Sequence, residues 1–129
     1  MNAKLDYLVP VVLRLGLAAV FVWFGVSQLL DPGAWIGFVP AFIIHSPIKP
    51  ETVINLNGWF EMAGAVLLVI GWWVRPVALI LAIHLAFIAI ETGGAIGVRD
   101  FGLTIACLAL ALASPDSWTL DSKLRRPKS

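Results

Sequence analysis

The hydrophobic positions of this chain fall into four long apolar runs, at about residues 7–30, 53–74, 76–92 and 99–113. Three of them end at a recognisable breaker. Asp31-Pro32-Gly33 stops the first, Gly93-Gly94 the third and Ser114-Pro115 the fourth, all of them turn or helix-stop signals. Only Arg75 separates the second run from the third, which opens on Pro76, a favourable first helical position. These two runs therefore predict a tight antiparallel hairpin. A helix needs about 20 apolar residues to cross a bilayer core, so the four runs predict an all-α membrane protein, an antiparallel bundle of four transmembrane helices. The third and fourth runs are short, which suits helices shielded by their neighbours. Arg14 splits the first run and the apolar sequence continues to Leu30, so that run is read as a span and not as a cleaved signal peptide.

Between the first two spans the pattern changes. Trp35, Phe38, Val39 and Phe42 recur at i, i+3, i+4 and i+7, the spacing of one helical face. Pro40 interrupts them, and Pro47 and Pro50 follow. This predicts a short helix over about residues 34–43 lying in the membrane interface. It serves there either as an anchor or as a lid over the mouth of the bundle.

The polar exceptions within the runs carry the chemistry. At 100° per residue, Arg14, Ala18, Gly25 and Gln28 share a face of the first helix, with Trp23 opposite. Asn57, Glu61 and Ala65 share a face of the second, flanked by Gly58 and Gly64. His84 and Glu91 nearly eclipse one another on the third, and Arg99-Asp100 opens the fourth run. Charge at bilayer depth costs about 2.5 kcal/mol or more on insertion scales, so such groups face the bundle interior. Counting turns from the helix ends predicts two layers: Arg14 with His84 toward one side, and Gln28, Asn57, Glu61, Glu91, Arg99 and Asp100 toward the other. Arg14–Glu61 and Arg99–Glu91 are the candidate ion pairs. Asp100 reads equally well as a helix N-terminal carboxylate.

Composition agrees with a membrane class and excludes others. The chain is 60% hydrophobic and 13% charged, with a mean hydropathy of +0.91, far from the balance of a soluble domain. A net charge of +1 gives no electrostatic basis for nucleic acid. The single cysteine, Cys107, excludes an internal disulfide and reads as a small buried hydrophobe. Lys4, Arg75, Lys123, Arg125, Arg126 and Lys128 would share one side of the membrane, against Lys49 and Arg99 on the other. That bias places both termini in the cytoplasm of an inner-membrane protein. The transmembrane domain is expected over residues 1–115, and residues 116–129 as a basic cytoplasmic tail able to meet anionic headgroups beside Trp118.

No haem-ligand pair, zinc or iron–sulfur pattern or nucleotide-binding loop is present in the sequence, so no metal or nucleotide is indicated. His84 is the candidate for proton transfer, since imidazole is the side chain that ordinarily titrates near neutrality. Glu61 is the candidate to act with it. Arg14, Gln28, Asn57, Glu91, Arg99 and Asp100 are candidate ligand-binding groups.

The first span reads Arg14-Leu-Gly16-Leu-Ala-Ala-Val-Phe21-Val-Trp-Phe-Gly25, followed by Leu29 and Asp31-Pro32. The second carries Glu61-x-x-Gly64, Leu67-Leu68 and Gly71-Trp-Trp-x-Arg75. Over most of residues 8–112 this resembles the DoxX/DoxD family of small four-helix membrane proteins, with Arg14 and Glu61 the residues that match. Gln28 stands where such proteins often carry a lysine. The resemblance implies a four-helix membrane bundle and quinone-linked redox chemistry, as in the subunits of a thiosulfate:quinone oxidoreductase. Quinone is the cofactor so implied. The expectation is a protein that binds a quinone or similar redox partner in its polar core, within a larger membrane complex or a homo-oligomer. The alternatives are a non-catalytic structural or assembly subunit, and a small-molecule or proton carrier.

Overall fold

The computed structural model describes residues 3–125 and Pro127. The side chain of Lys4, and Arg126 and Lys128 of the basic tail, lie outside the described residues. Four long helices dominate: α1 (Leu8–Leu30), α2 (Pro50–Ile70), α3 (Val74–Thr92) and α4 (Gly94–Leu112). Each is apolar and long enough to cross a membrane, and the chain is an integral membrane protein with an all-helical bundle.

Local chemistry explains the helix ends. Asp31-Pro32 stops α1, and the Asp31 carboxylate accepts a hydrogen bond from the Ala34 amide at 3.3 Å, capping a 3-10 helix over Pro32–Phe38. α2 begins on Pro50, whose missing N–H is no loss at the first helical position. It ends at Gly71 in the left-handed region (φ 76°), whose amide bonds back to the Leu67 carbonyl at 2.8 Å. Trp73 is also left-handed (φ 53°), an uncommon state for a bulky residue. α3 starts directly after it, two residues before Pro76.

Two expected boundaries change. The fourth helix begins at Gly94, not near Arg99, because Gly93 and Gly94 both take positive φ (63° and 58°) and reverse the chain almost without a loop. Arg99 and Asp100 thus lie more than a turn inside α4, and Asp100 is not an N-terminal carboxylate. The segment after α1 is not one helix over 34–43. It is the 3-10 helix, a break at Val39-Pro40, and a single turn over Ala41–Ile44, as expected where proline removes a donor and restricts the residue before it.

Arg14, near the start of α1, reaches the carbonyls of Leu68 and Val69 near the end of α2, and Asp116, just past α4, reaches Arg14. The helices therefore alternate in direction, and both terminal segments lie at one end. The tightest contacts are within the pairs α1–α2 and α3–α4. Glycines permit them: a Cβ on Gly25 would stand 3.0 Å from the Gly58 carbonyl oxygen, and one on Gly97 2.7 Å from the Ala89 carbonyl oxygen. Leu17, Phe21, Ala65, Leu68 and Leu81 fill the centre, while Trp59, Ile83, Ile90 and Leu112 remain exposed on faces that lipid covers.

Residues 116–121 are not a free appendage. Thr119 is fully buried against Gly71, and the Asp121 amide donates to the Gly71 carbonyl at 3.0 Å. The Asp121 carboxylate accepts from the amides of Trp73 and Val74, both at 2.9 Å. It thereby supplies, from 47 and 48 residues away, partners for the first amides of α3.

Candidate functional site

The polar side chains sort into two layers separated by apolar packing, though not with the membership expected. On α1, Leu17, Ala18 and Phe21 lie between Arg14 and Gln28. On α2, Gly64 and Ala65 lie between Glu61 and Leu68. On α3, Val77, Ala78 and Leu81 lie between the start of the helix and His84. The buried residues of this set are the hydrophobic core.

At the end that carries the termini, Arg14 is 1% exposed and Asp116 6%. Arg14 Nε donates to Asp116 Oδ2 at 2.9 Å and a terminal nitrogen to Oδ1 at 3.2 Å. Its other terminal nitrogen donates to the carbonyls of Leu68 and, at 2.9 Å, Val69. The Trp118 amide donates to Asp116 Oδ1 at 3.0 Å, so both charges are fully engaged. The expected Arg14–Glu61 and Arg14–His84 neighbours do not form. α3 starts at Val74, which puts His84 ten residues, about 15 Å, along its helix. Arg14 is only six residues into α1, about 9 Å.

His84 instead belongs to the opposite layer. Gln28 Nε2 donates to Glu61 Oε2 at 3.0 Å. Asn57 Nδ2 donates to Gln28 Oε1 at 2.7 Å and to Glu61 Oε1 at 3.2 Å. His84 Nε2 stands 3.4 Å from the same Oε1, with Phe60 packed on its ring at 4.8 Å between centroids. Three helices contribute to this network. Gln28 and Glu61 are 5% and 4% exposed, and Glu61 accepts from two side-chain amides and meets His84 Nε2.

The network lines a cavity of about 740 Å³, bounded by all four helices and by the segment after α1. Trp35, Phe38 and Phe42 of that segment, which packs on α1 and α2, form part of its wall. Trp35 packs edge-on to Phe24 at 5.6 Å. Phe24 also carries the Arg99 guanidinium 5.2 Å above its ring. Arg99 pairs with its neighbour Asp100 through two contacts of 3.0 and 3.1 Å, not with Glu91. Glu91 is exposed at the cavity rim near the end of α3. Among the described residues, no cluster of three His, Cys, Asp or Glu is placed to hold a metal ion.

The cavity thus gathers Gln28, Asn57, Glu61, His84, Glu91, Arg99 and Asp100, and leaves Arg14 outside. Asp116, Thr119 and Asp121 were invisible as functional partners in the sequence. Their only signal is a turn-like Ser-Pro-Asp followed by Thr three residues later, which reads as any helix stop does. Phe24, which lines the cavity, and Phe60, which packs on the His84 ring, were hidden among lipid-facing aromatics.

Comparison with known proteins completes the description. No curated protein and no solved structure matches the chain. A family model described as DoxX matches residues 9–96. That range takes in α1, the segment after it, α2 and α3 and includes Arg14, Gln28, Asn57, Glu61, His84 and Glu91, but stops before Arg99, Asp100 and Asp116. Since the match covers more than half of the sequence and the bundle it implies is the one observed, the chain belongs to the DoxX family.

Proposed function

We propose that the cavity binds the headgroup of a quinone, and that the protein serves a membrane redox system in that capacity. The observation that carries this reading is the Glu61–His84 contact on the wall of a mostly apolar cavity among the membrane-spanning helices. Pockets for small ligands are mostly apolar with a few placed polar groups, and about 740 Å³ is ample for a substituted ring and the start of its tail. The polar set fits the group: Gln28 keeps an N–H for a ring oxygen, Asn57 and His84 offer further hydrogen-bonding atoms, and Phe24, Trp35 and Phe38 offer flat apolar contact. A bound quinone supplies two-electron, two-proton redox capacity, and the electrons come from a partner subunit or a reduced substrate. The chain's own part is to position the ring and to hold or release a proton at His84 beside Glu61. Arg14 has no place in this site, being committed to Asp116.

The test is quinone extracted from the protein purified in native-lipid nanodiscs. Wild type and Arg75→Gln should retain it, whereas Glu61→Ala and Asn57→Leu should lose most of it. Equal quinone content in all four would sink the reading.

A non-catalytic subunit role has one observation in its favour. Ala86, Ala89, Gly93 and Gly97 line a shallow groove on the outer side of α3–α4, and small residues let another helix approach closely. Stoichiometric copurification with a larger complex, unaffected by the cavity variants, would favour it over quinone binding. A carrier role finds less support, since the apolar layer and the Arg14–Asp116 pair close one end. We also place both termini in the cytoplasm, with Arg75, Lys123 and Arg125 at that end. Labelling of engineered terminal cysteines by an impermeant reagent from each side would check it.

A further inference from the structure

The hydrogen bonds already made inside the network determine which valences remain for a ligand. The amide orientations of Gln28 and Asn57 follow from their neighbours. Turning Gln28 over would set its oxygen against Glu61 Oε2, 3.0 Å away, and turning Asn57 over would set oxygen against both Gln28 Oε1 and Glu61 Oε1. Asn57 therefore spends its donor nitrogen on its neighbours and keeps Oδ1 free. Gln28 spends its oxygen and one N–H, keeping one N–H. Glu61 has only acceptor capacity, with room left on Oε2. With Glu61 as a carboxylate, His84 Nε2 carries the proton between them, and Nδ1 of the neutral ring is an acceptor.

These open groups are reachable. Among the described residues, every fully buried side-chain nitrogen and oxygen has a partner, so polar atoms without one are in contact with accessible space. The His84 side chain is 20% exposed, and Asn57 lines the cavity. At the buried end of the cavity, acceptors on Asn57, Glu61 and His84 thus outnumber the one spare N–H of Gln28. At the rim, Arg99 has two of its three nitrogens bound to Asp100.

A quinone oxygen can only accept a hydrogen bond. A quinol hydroxyl donates one and also accepts. We infer that this cavity selects the reduced, hydroxyl-bearing form of the ring, with one hydroxyl donating to His84 Nδ1 while accepting from Gln28. The inference rests on the quinone-headgroup reading and sharpens it to one redox state. A quinone placed in the same position would bring its carbonyl lone pairs against acceptors, leaving them buried and unmatched.

Equilibrium dialysis of the nanodisc-embedded protein, under anaerobic conditions, compares three probes: a decyl-substituted benzoquinol, the corresponding benzoquinone, and the quinol dimethyl ether. The ether keeps the ring but has no O–H. The quinol should bind about tenfold tighter than either of the others, the equivalent of one well-placed hydrogen bond. His84→Phe should erase most of that preference, and His84→Gln, which keeps an acceptor, should retain part of it. Quinone or ether binding as tightly as quinol would overturn the inference and leave the cavity reading standing. Failure of all three to bind would overturn both.

Discussion

Arg14 and Asp116 are separated by 102 residues yet join in a two-contact ion pair, with side chains 2% exposed on both partners. The pair ties the first span to the segment after the last, and the remaining Arg14 donors tie both to the end of α2. Breaking such a pair from one side leaves an uncompensated buried charge, a loss of about 3–5 kcal/mol. Asp116→Ala should therefore lower the unfolding free energy in mixed micelles by that order. The double variant Arg14→Met/Asp116→Leu should recover most of it, because the desolvation penalty goes with the charges. Equal destabilisation by the single and double variants would contradict this account.

Asp121 acts on the same end through the backbone. Its carboxylate meets the Trp73 and Val74 amides that start α3. Asp121→Ala should cost about 1 kcal/mol, the usual loss on removing a helix cap. Asp121→Asn should cost less, since one amide oxygen can still accept. Hydrogen exchange at residues 73–75 should accelerate in the alanine variant while that in mid-α3 is unchanged.

The glycines of α4 give a matched contrast. A Cβ at Gly97 would lie 2.7 Å from the Ala89 carbonyl oxygen, whereas at Gly102 there is nothing within 4 Å. Gly97→Ala should destabilise by about 1–3 kcal/mol, because backbone cannot yield as a side chain does. Gly102→Ala should be neutral or stabilise by up to about 1 kcal/mol through helix propensity. Thermal unfolding of the two variants side by side reads the difference.

Glu61 has a structural effect distinct from binding. Glu61→Ala leaves Gln28 and Asn57 donors facing no acceptor, at about 1–3 kcal/mol. Glu61→Gln retains an oxygen and should fall well short of that. A larger loss for Gln than for Ala would mean that the donor network does not hold Glu61 as described.

Cys107 is fully buried in the core at 0% exposure. A membrane-permeant maleimide should leave the native protein unlabelled over hours and react promptly after denaturation. Rapid native labelling would show that α4 opens at its centre.

Much of the architecture was fixed by the order of apolar and polar residues. Four spans, their alternation and their breakers follow from hydropathy and from Pro and Gly positions, because a backbone in lipid must satisfy its own hydrogen bonds and has little choice but helix. The polar faces followed from helical periodicity, which placed Asn57 with Glu61 and Gln28 on an inward stripe. Which stripe meets which did not follow. Periodicity reports the direction of a side chain about its own axis, while contact between helices depends also on depth, and depth depends on where each helix starts. The shift of α3 to Val74 took His84 from Arg14 to Glu61, and the near-absence of a loop at Gly93-Gly94 drew Arg99 and Asp100 inside α4. Asp116 and Asp121 lie beyond the last span, where no period operates. Only the folded chain, by returning that segment to the bundle's end, made them the partners of Arg14 and of the first amides of α3.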